Sequence, residues 1–60
     1  MRTWTVLCED GELTLELAPD GSARLTVFMD GTAVASGLVL TREQFEKTCD
    51  AFADARSFLP

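Results

Sequence analysis

The stretch Leu13-Thr14-Leu15-Glu16-Leu17-Ala18-Pro19-Asp20-Gly21-Ser22-Ala23-Arg24-Leu25-Thr26-Val27 decides the fold of this chain. Apolar and polar side chains alternate on both sides of Pro19-Asp20-Gly21. That period of two is the mark of a half-buried strand. Pro19 presets φ for the start of a type I turn, and Gly21 supplies the left-handed position that closes a three-residue loop. Such a loop sets Leu15 opposite Leu25 and Leu13 opposite Val27, with Glu16 and Arg24 paired on the other face. A two-residue loop would set Leu17 against Arg24 and mix the two faces, so the longer loop is expected.

Two further hairpins follow outward from this one. Asp10-Gly11, read as a two-residue loop, sets Glu9 against Glu12, Cys8 against Leu13, Val6 against Leu15 and Trp4 against Leu17. Asp30-Gly31, read the same way, sets Val27 against Val34 and Phe28 against Ala33. In both, Gly after Asp is expected to provide the positive φ of a tight turn. The three turns agree on one apolar face, made by Trp4, Val6, Leu13, Leu15, Leu17, Leu25, Val27, Met29, Val34, Leu38 and Leu40. Gly37 is expected to let the fourth strand bend or bulge.

A helix is expected to begin at Thr41. Thr41 and Gln44 have the spacing of a capping box, and Leu40 with Phe45 that of a hydrophobic staple. Phe45, Cys49, Phe52 and Ala53 form an apolar stripe at helical spacing, expected to cover the sheet. Ser57 to Pro60 reads as a frayed end, with Phe58 or Leu59 as candidates to fold back onto the sheet. The predicted architecture is α+β: a four-stranded antiparallel β-meander with one C-terminal helix packed on one face (ββββα), a single domain over residues 1–60.

Ten acidic and five basic side chains give a net charge of −5, with no histidine and no tyrosine. The charge argues against direct contact with nucleic acid or an anionic membrane, both of which call for basic patches. No apolar run approaches the ~20 residues of a membrane span. The opening Met1-Arg2-Thr3-Trp4-Thr5 lacks the apolar stretch of a signal peptide, so a cytoplasmic location is expected. No enzyme is expected. Without histidine there is no imidazole base or ligand, and two cysteines alone do not make a structural zinc site. No glycine-rich phosphate loop and no calcium loop is present. No cofactor or metal is therefore expected. Cys8 and Cys49 both fall on the apolar face, where three readings stay open: small buried hydrophobes, a disulfide, or a reactive thiol.

The helix's other face is the candidate site. Glu43, Glu46, Asp50 and Asp54 lie there, with Lys47 read as the one cation among them. Glu46, Asp50 and Asp54 recur every four residues, one carboxylate about every 6 Å along a helix. Like charges so spaced cost roughly 0.2–0.5 kcal/mol per pair, and Asp54 falls near the negative end of the helix dipole. A charge row that opposes its own helix points to a use in binding. The spacing is close to the phosphate repeat of one nucleic-acid strand. In an up-and-down meander the first and third turns share one end, so Glu9, Asp10, Glu12 and Asp30 are expected to extend the acidic surface there. Partner-binding candidates are thus Glu43, Glu46, Asp50, Asp54, Glu9, Asp10 and Asp30. On the uncovered sheet face, Phe28, Leu7 and Val39 are candidates for self-association, and the outer strands are open edges for strand addition.

The strand order and the segment Leu38-Val39-Leu40-Thr41-Arg42-Glu43-Gln44-Phe45 opening the helix resemble the transcriptional-coactivator and Whirly-type single-stranded DNA binders. Those proteins bind strands with basic and aromatic residues on the sheet. Here the outward face offers mainly Arg24 and Phe28, and no direct nucleic-acid binding is expected. In size and acidity the chain also resembles the phage-encoded anti-CRISPR proteins, a likeness of type. Several of those act as DNA mimics that block a nucleic-acid channel. That resemblance implies a CRISPR surveillance complex as the partner and the host cytoplasm as the location. The leading expectation is a non-enzymatic inhibitor, a monomer or weak homodimer, that blocks a basic nucleic-acid-binding site on another protein. The alternative is an assembly module that dimerises through the exposed sheet face or an edge strand.

Overall fold

In the computed structural model, which describes residues 1–30 and 36–60, four strands are followed by one helix. The strands are β1 (Arg2–Cys8), β2 (Gly11–Leu17), β3 (Ala23–Met29) and β4 (Ser36–Leu40), and the helix is α1 (Arg42–Arg56). They form an antiparallel meander in the order β1-β2-β3-β4, so β1 and β4 are its edges. This is the predicted ββββα layout.

The central hairpin has the expected register, with Leu15 opposite Leu25, Leu13 opposite Val27 and Glu16 opposite Arg24. Its loop is closed by hydrogen bonds from Ala18 N to Ser22 O at 2.9 Å and from Gly21 N to Ala18 O at 3.0 Å. Gly21 has φ +91°, which a side chain would strain. Asp20 fastens the same loop, its Oδ1 accepting from Ser22 N at 2.9 Å and from Ser22 Oγ at 2.7 Å.

The other two hairpins differ from expectation by a slide of two residues. In the first, Trp4 pairs with Leu15, Val6 with Leu13 and Cys8 with Gly11, so the loop is Glu9-Asp10. In the third, Val27 pairs with Ser36 in place of Val34. Gly31, Ala33, Val34 and Ala35, on which the rest of that reading fell, lie outside the described residues. A slide of two keeps every side chain on its own face, so the apolar pattern survives it. Gly11 is needed for a different reason than turn geometry. Gly21 is the one described glycine with positive φ, whereas a Cβ on Gly11 would run into the main-chain carbonyl of Phe28 on β3. Gly37 makes no bulge; it pairs in register with Thr26.

The helix lies on the predicted face, but its cover is partial. Among the described residues only Ala23 (3% exposed) and Leu40 (9%) are buried apolar side chains. Phe45 in the first turn is half-buried, whereas Cys49, Phe52 and Ala53 of the same stripe are exposed. Trp4, Val6, Val27, Met29 and Leu38 on the facing sheet are exposed as well. Phe58 (80%) and Leu59 (70%) do not fold back onto the sheet. The chain after α1 continues in tightened turns instead, from Phe58 N to Ala55 O and Leu59 N to Arg56 O, both 3.1 Å.

Candidate functional site

The acidic face is set by how α1 starts. Thr41 is the N-cap, with its Oγ1 accepting from Gln44 N at 3.2 Å, while Gln44 Oε1 accepts from Thr41 N at 3.0 Å. The capping box satisfies two donors that the first turn would leave open. Leu40 and Phe45, the staple pair, line one cavity and fix the entry angle of the chain. The stem of Arg42 sits against Gly21, joining the helix start to the β2–β3 loop. With the phase so fixed, Phe45, Cys49 and Phe52 turn toward the sheet, Glu43, Asp50 and Asp54 fall on the opposite side, and Glu46 lies on the flank beside the β2–β3 loop.

The four acids are not equivalent. Glu43 Oε1 lies 3.4 Å from Lys47 Nζ, and Glu46 Oε1 lies 3.5 Å from Arg42 Nε. Arg42 is thus a second cation on this side, one that the sequence reading passed over although the four-residue spacing to Glu46 signals it. Both pairs are well exposed, so each adds only about 0.3–0.5 kcal/mol to the helix. Asp50 and Asp54 are exposed, and among the described residues no basic group lies within 4.0 Å of either. The row therefore has a paired beginning and a bare acidic end.

The turn acids are partly gathered. Asp30 N donates to Asp10 O at 2.9 Å, which brings the ends of the first and third hairpins together as the meander demands. Glu9 and Asp10 form the first loop and are exposed. Glu12 stands apart from that group, on the outward sheet face between Leu7 and Phe28.

On that outward face the register builds three rows: Thr3-Glu16-Arg24-Val39, Thr5-Thr14-Thr26-Gly37, and Leu7-Glu12-Phe28. Leu7, 83% exposed, and Phe28 share the last row. Val39 lies in the first, with the threonine row between, some 13 Å away along the strands. The self-association candidates are thus split into a pair and a single residue.

The inner side holds an apolar cavity of about 180 Å³ between sheet and helix. Trp4, Val6, Leu13, Leu15, Leu25 and Leu40 line one wall, and Phe45, Thr48, Cys49 and Phe52 the other. Thr48 Oγ1 donates to Gln44 O at 2.8 Å, so its hydroxyl is already used. Cys49 brings the one titratable side chain on these walls, and both cysteines are free and exposed, so of the three open readings the buried hydrophobe does not hold and no disulfide joins them. Among the described residues no three Cys, Asp or Glu side chains gather as metal ligands, and no helix is long and apolar enough to cross a membrane. Compared with known protein families, with characterised proteins and with solved structures, the chain shows no significant match.

Proposed function

We propose that this chain is a small, non-enzymatic binding protein that occupies the basic, nucleic-acid-binding surface of a partner protein. The observation that carries the reading is the bare acidic end of α1. Asp50 and Asp54 stand exposed, about 6 Å apart along the helix, continuing the row from Glu46. Carboxylates at that repeat present a basic groove with the charge pattern of a nucleic-acid strand. Glu43 and the turn acids Glu9, Asp10 and Asp30 add to the field. Inhibition would be competitive, by occupying the site and repelling the phosphate backbone. A DNA mimic directed at a CRISPR surveillance complex is one protein of this kind. Fast association that weakens with salt is expected, because charge steering is screened.

The test is capture from bacterial lysate at low salt, with and without competing DNA, using the wild type and a Glu46→Lys, Asp50→Lys, Asp54→Lys variant. A captured nucleic-acid-binding protein that DNA displaces, and that the variant fails to hold while keeping its circular dichroism, is the expected result. Equal capture by the variant refutes the reading.

A second reading, an assembly module, is favoured by the exposure of Leu7 and Phe28 and by the open edges β1 and β4. Phe28→Glu separates the two: it breaks an outer-face dimer and spares an acid-driven contact.

A further inference from the structure

The chain exposes more surface than a monomer of its mass should. Its accessible area is 5015 Å². A compact protein of 6.6 kDa exposes about 3,900 Å² by the surface–mass relation. The excess is about 1,100 Å². Half of the exposed large apolar side chains, six of twelve among the described residues, lie on one side. Trp4, Val6, Val27, Met29 and Leu38 stand on the sheet face under the helix, and Phe52 faces them from α1. These are the residues whose alternation and helical spacing mark them for a core.

We infer that a second copy of this chain covers that face, giving a two-fold homodimer whose interface is the Trp4–Phe52 groove and not the Phe28 face. The area suits a copy. If each protomer hid its excess, the interface would bury about 2,200 Å² in total, inside the roughly 2,000–5,000 Å² range of obligate homodimers. A two-fold interface uses the same patch on both partners, so an apolar patch meets an apolar patch. Charge permits it too. No ionisable group but the Cys49 thiol lines the groove itself, with Arg2 and Cys8 at the two ends of the same sheet face; Glu43, Asp50 and Asp54 lie on the far side of each helix, and Glu46 on its flank by the β2–β3 loop. The dimer would therefore carry two acidic rows on its outside. This inference stands apart from the acidic-face reading, and either can fail alone.

Salt separates the two. Joining two chains of net charge −5 through apolar surface becomes easier as salt screens their repulsion. A contact with a basic partner becomes weaker.

The experiment is sedimentation equilibrium of the wild type, Phe52→Glu and Phe28→Glu, with circular dichroism on each. A dimer dissociation constant of about 1 µM or tighter is expected for the wild type and for Phe28→Glu, holding or tightening in salt. Phe52→Glu is expected to weaken it at least about a hundredfold, since it sets a charge against apolar surface. A second measurement needs no substitution. Maleimide labelling read at the Cys49 peptide by mass spectrometry, because Cys8 is free and exposed too, with glutathione in the same solution as rate reference, is expected to slow about tenfold or more between dilute and concentrated protein, as the dimer fills. A wild type that stays monomeric at about 100 µM overturns the inference, and so does a dimer broken by Phe28→Glu but not by Phe52→Glu. Cys49 protected at every concentration in a monomer overturns it as well, since α1 would then have closed on its own sheet.

Discussion

Gly11 and Gly37 sit in β2 and β4, the two strands that flank β3, yet replacing each by alanine is predicted to change stability in opposite directions. At Gly11 the new methyl would fall on the carbonyl of Phe28, with the Cα of Met29 3.1 Å away. Both obstacles are main chain, and the β2–β3 ladder holds them through the Gly11–Met29 and Glu12–Phe28 pairs. No side chain can turn aside, so the strands must separate locally. Overpacking of that kind costs about 1–3 kcal/mol. At Gly37 the nearest atoms are Thr26 Oγ1 at 3.5 Å and Leu25 O at 3.6 Å, ordinary contact distances. There the alanine removes unfolded-state entropy and is expected to add about 0.5–1 kcal/mol. A 60-residue domain has roughly 3–9 kcal/mol in all. At about 4–8 °C per kcal/mol, the two variants should melt some 6 to 30 °C apart. Urea unfolding followed by the fluorescence of Trp4, the single tryptophan, reads both. Concentration must be held fixed across the set, because a dimer makes stability depend on it. Equal effects of the two substitutions, or a stabilising Gly11→Ala, would refute the account of why Gly11 is glycine.

Thr41→Ala removes one side of the capping box and should cost about 1 kcal/mol, with loss of helical ellipticity in partly unfolding urea; an unchanged midpoint would mean that α1 does not depend on its cap. Asp20 is held below its ordinary value of 3.8, first by the Ser22 hydroxyl and then by the Ser22 backbone N–H. A lowered folded value means that its contribution is present above pH 3.8 and fades as acid protonates it. The urea-midpoint gap between wild type and Asp20→Ala should thus be level from about pH 5 to 7 and shrink on acidification below 3.8; a gap that widens in acid would contradict that sign.

How much of this was legible in the sequence depends on what each signal can resolve. The central hairpin was legible in full, because Pro19-Asp20-Gly21 admits one loop length once Arg24 must stay off the apolar face. The outer hairpins were legible in face but not in register. Val6 opposite Leu13 or opposite Leu15 looks the same to a pattern of period two. The turn chemistry that should have decided was misread at Gly11, where glycine answers a close approach of strands and not a turn dihedral. The helix cap was legible because its two hydrogen bonds join residues three apart. The depth of the helix on the sheet was not. A stripe shows which side of a helix is apolar, but beyond Phe45 this one carries a single large residue, Phe52, and periodicity does not say whether that covers eleven apolar positions opposite. The acidic row was legible as a row. Its division into a paired start and a bare end depends on Arg42, whose spacing to Glu46 was in the sequence and whose aim was not.

The seating of α1 chiefly through its first turn makes it a lever with its pivot at Thr41. From Arg42 to Asp54 the helix is about 18 Å long. A tilt of some 20° at the pivot would carry Asp54 through about 6 Å, one full step of its own carboxylate row. Glu43 and Glu46, close to the pivot, would move by about two-fifths of that or less. Were the proposed partner to meet this surface, such a tilt would leave the near end to set position and let the far end shift to meet opposing charges, at a cost set by the few side chains that seat the helix.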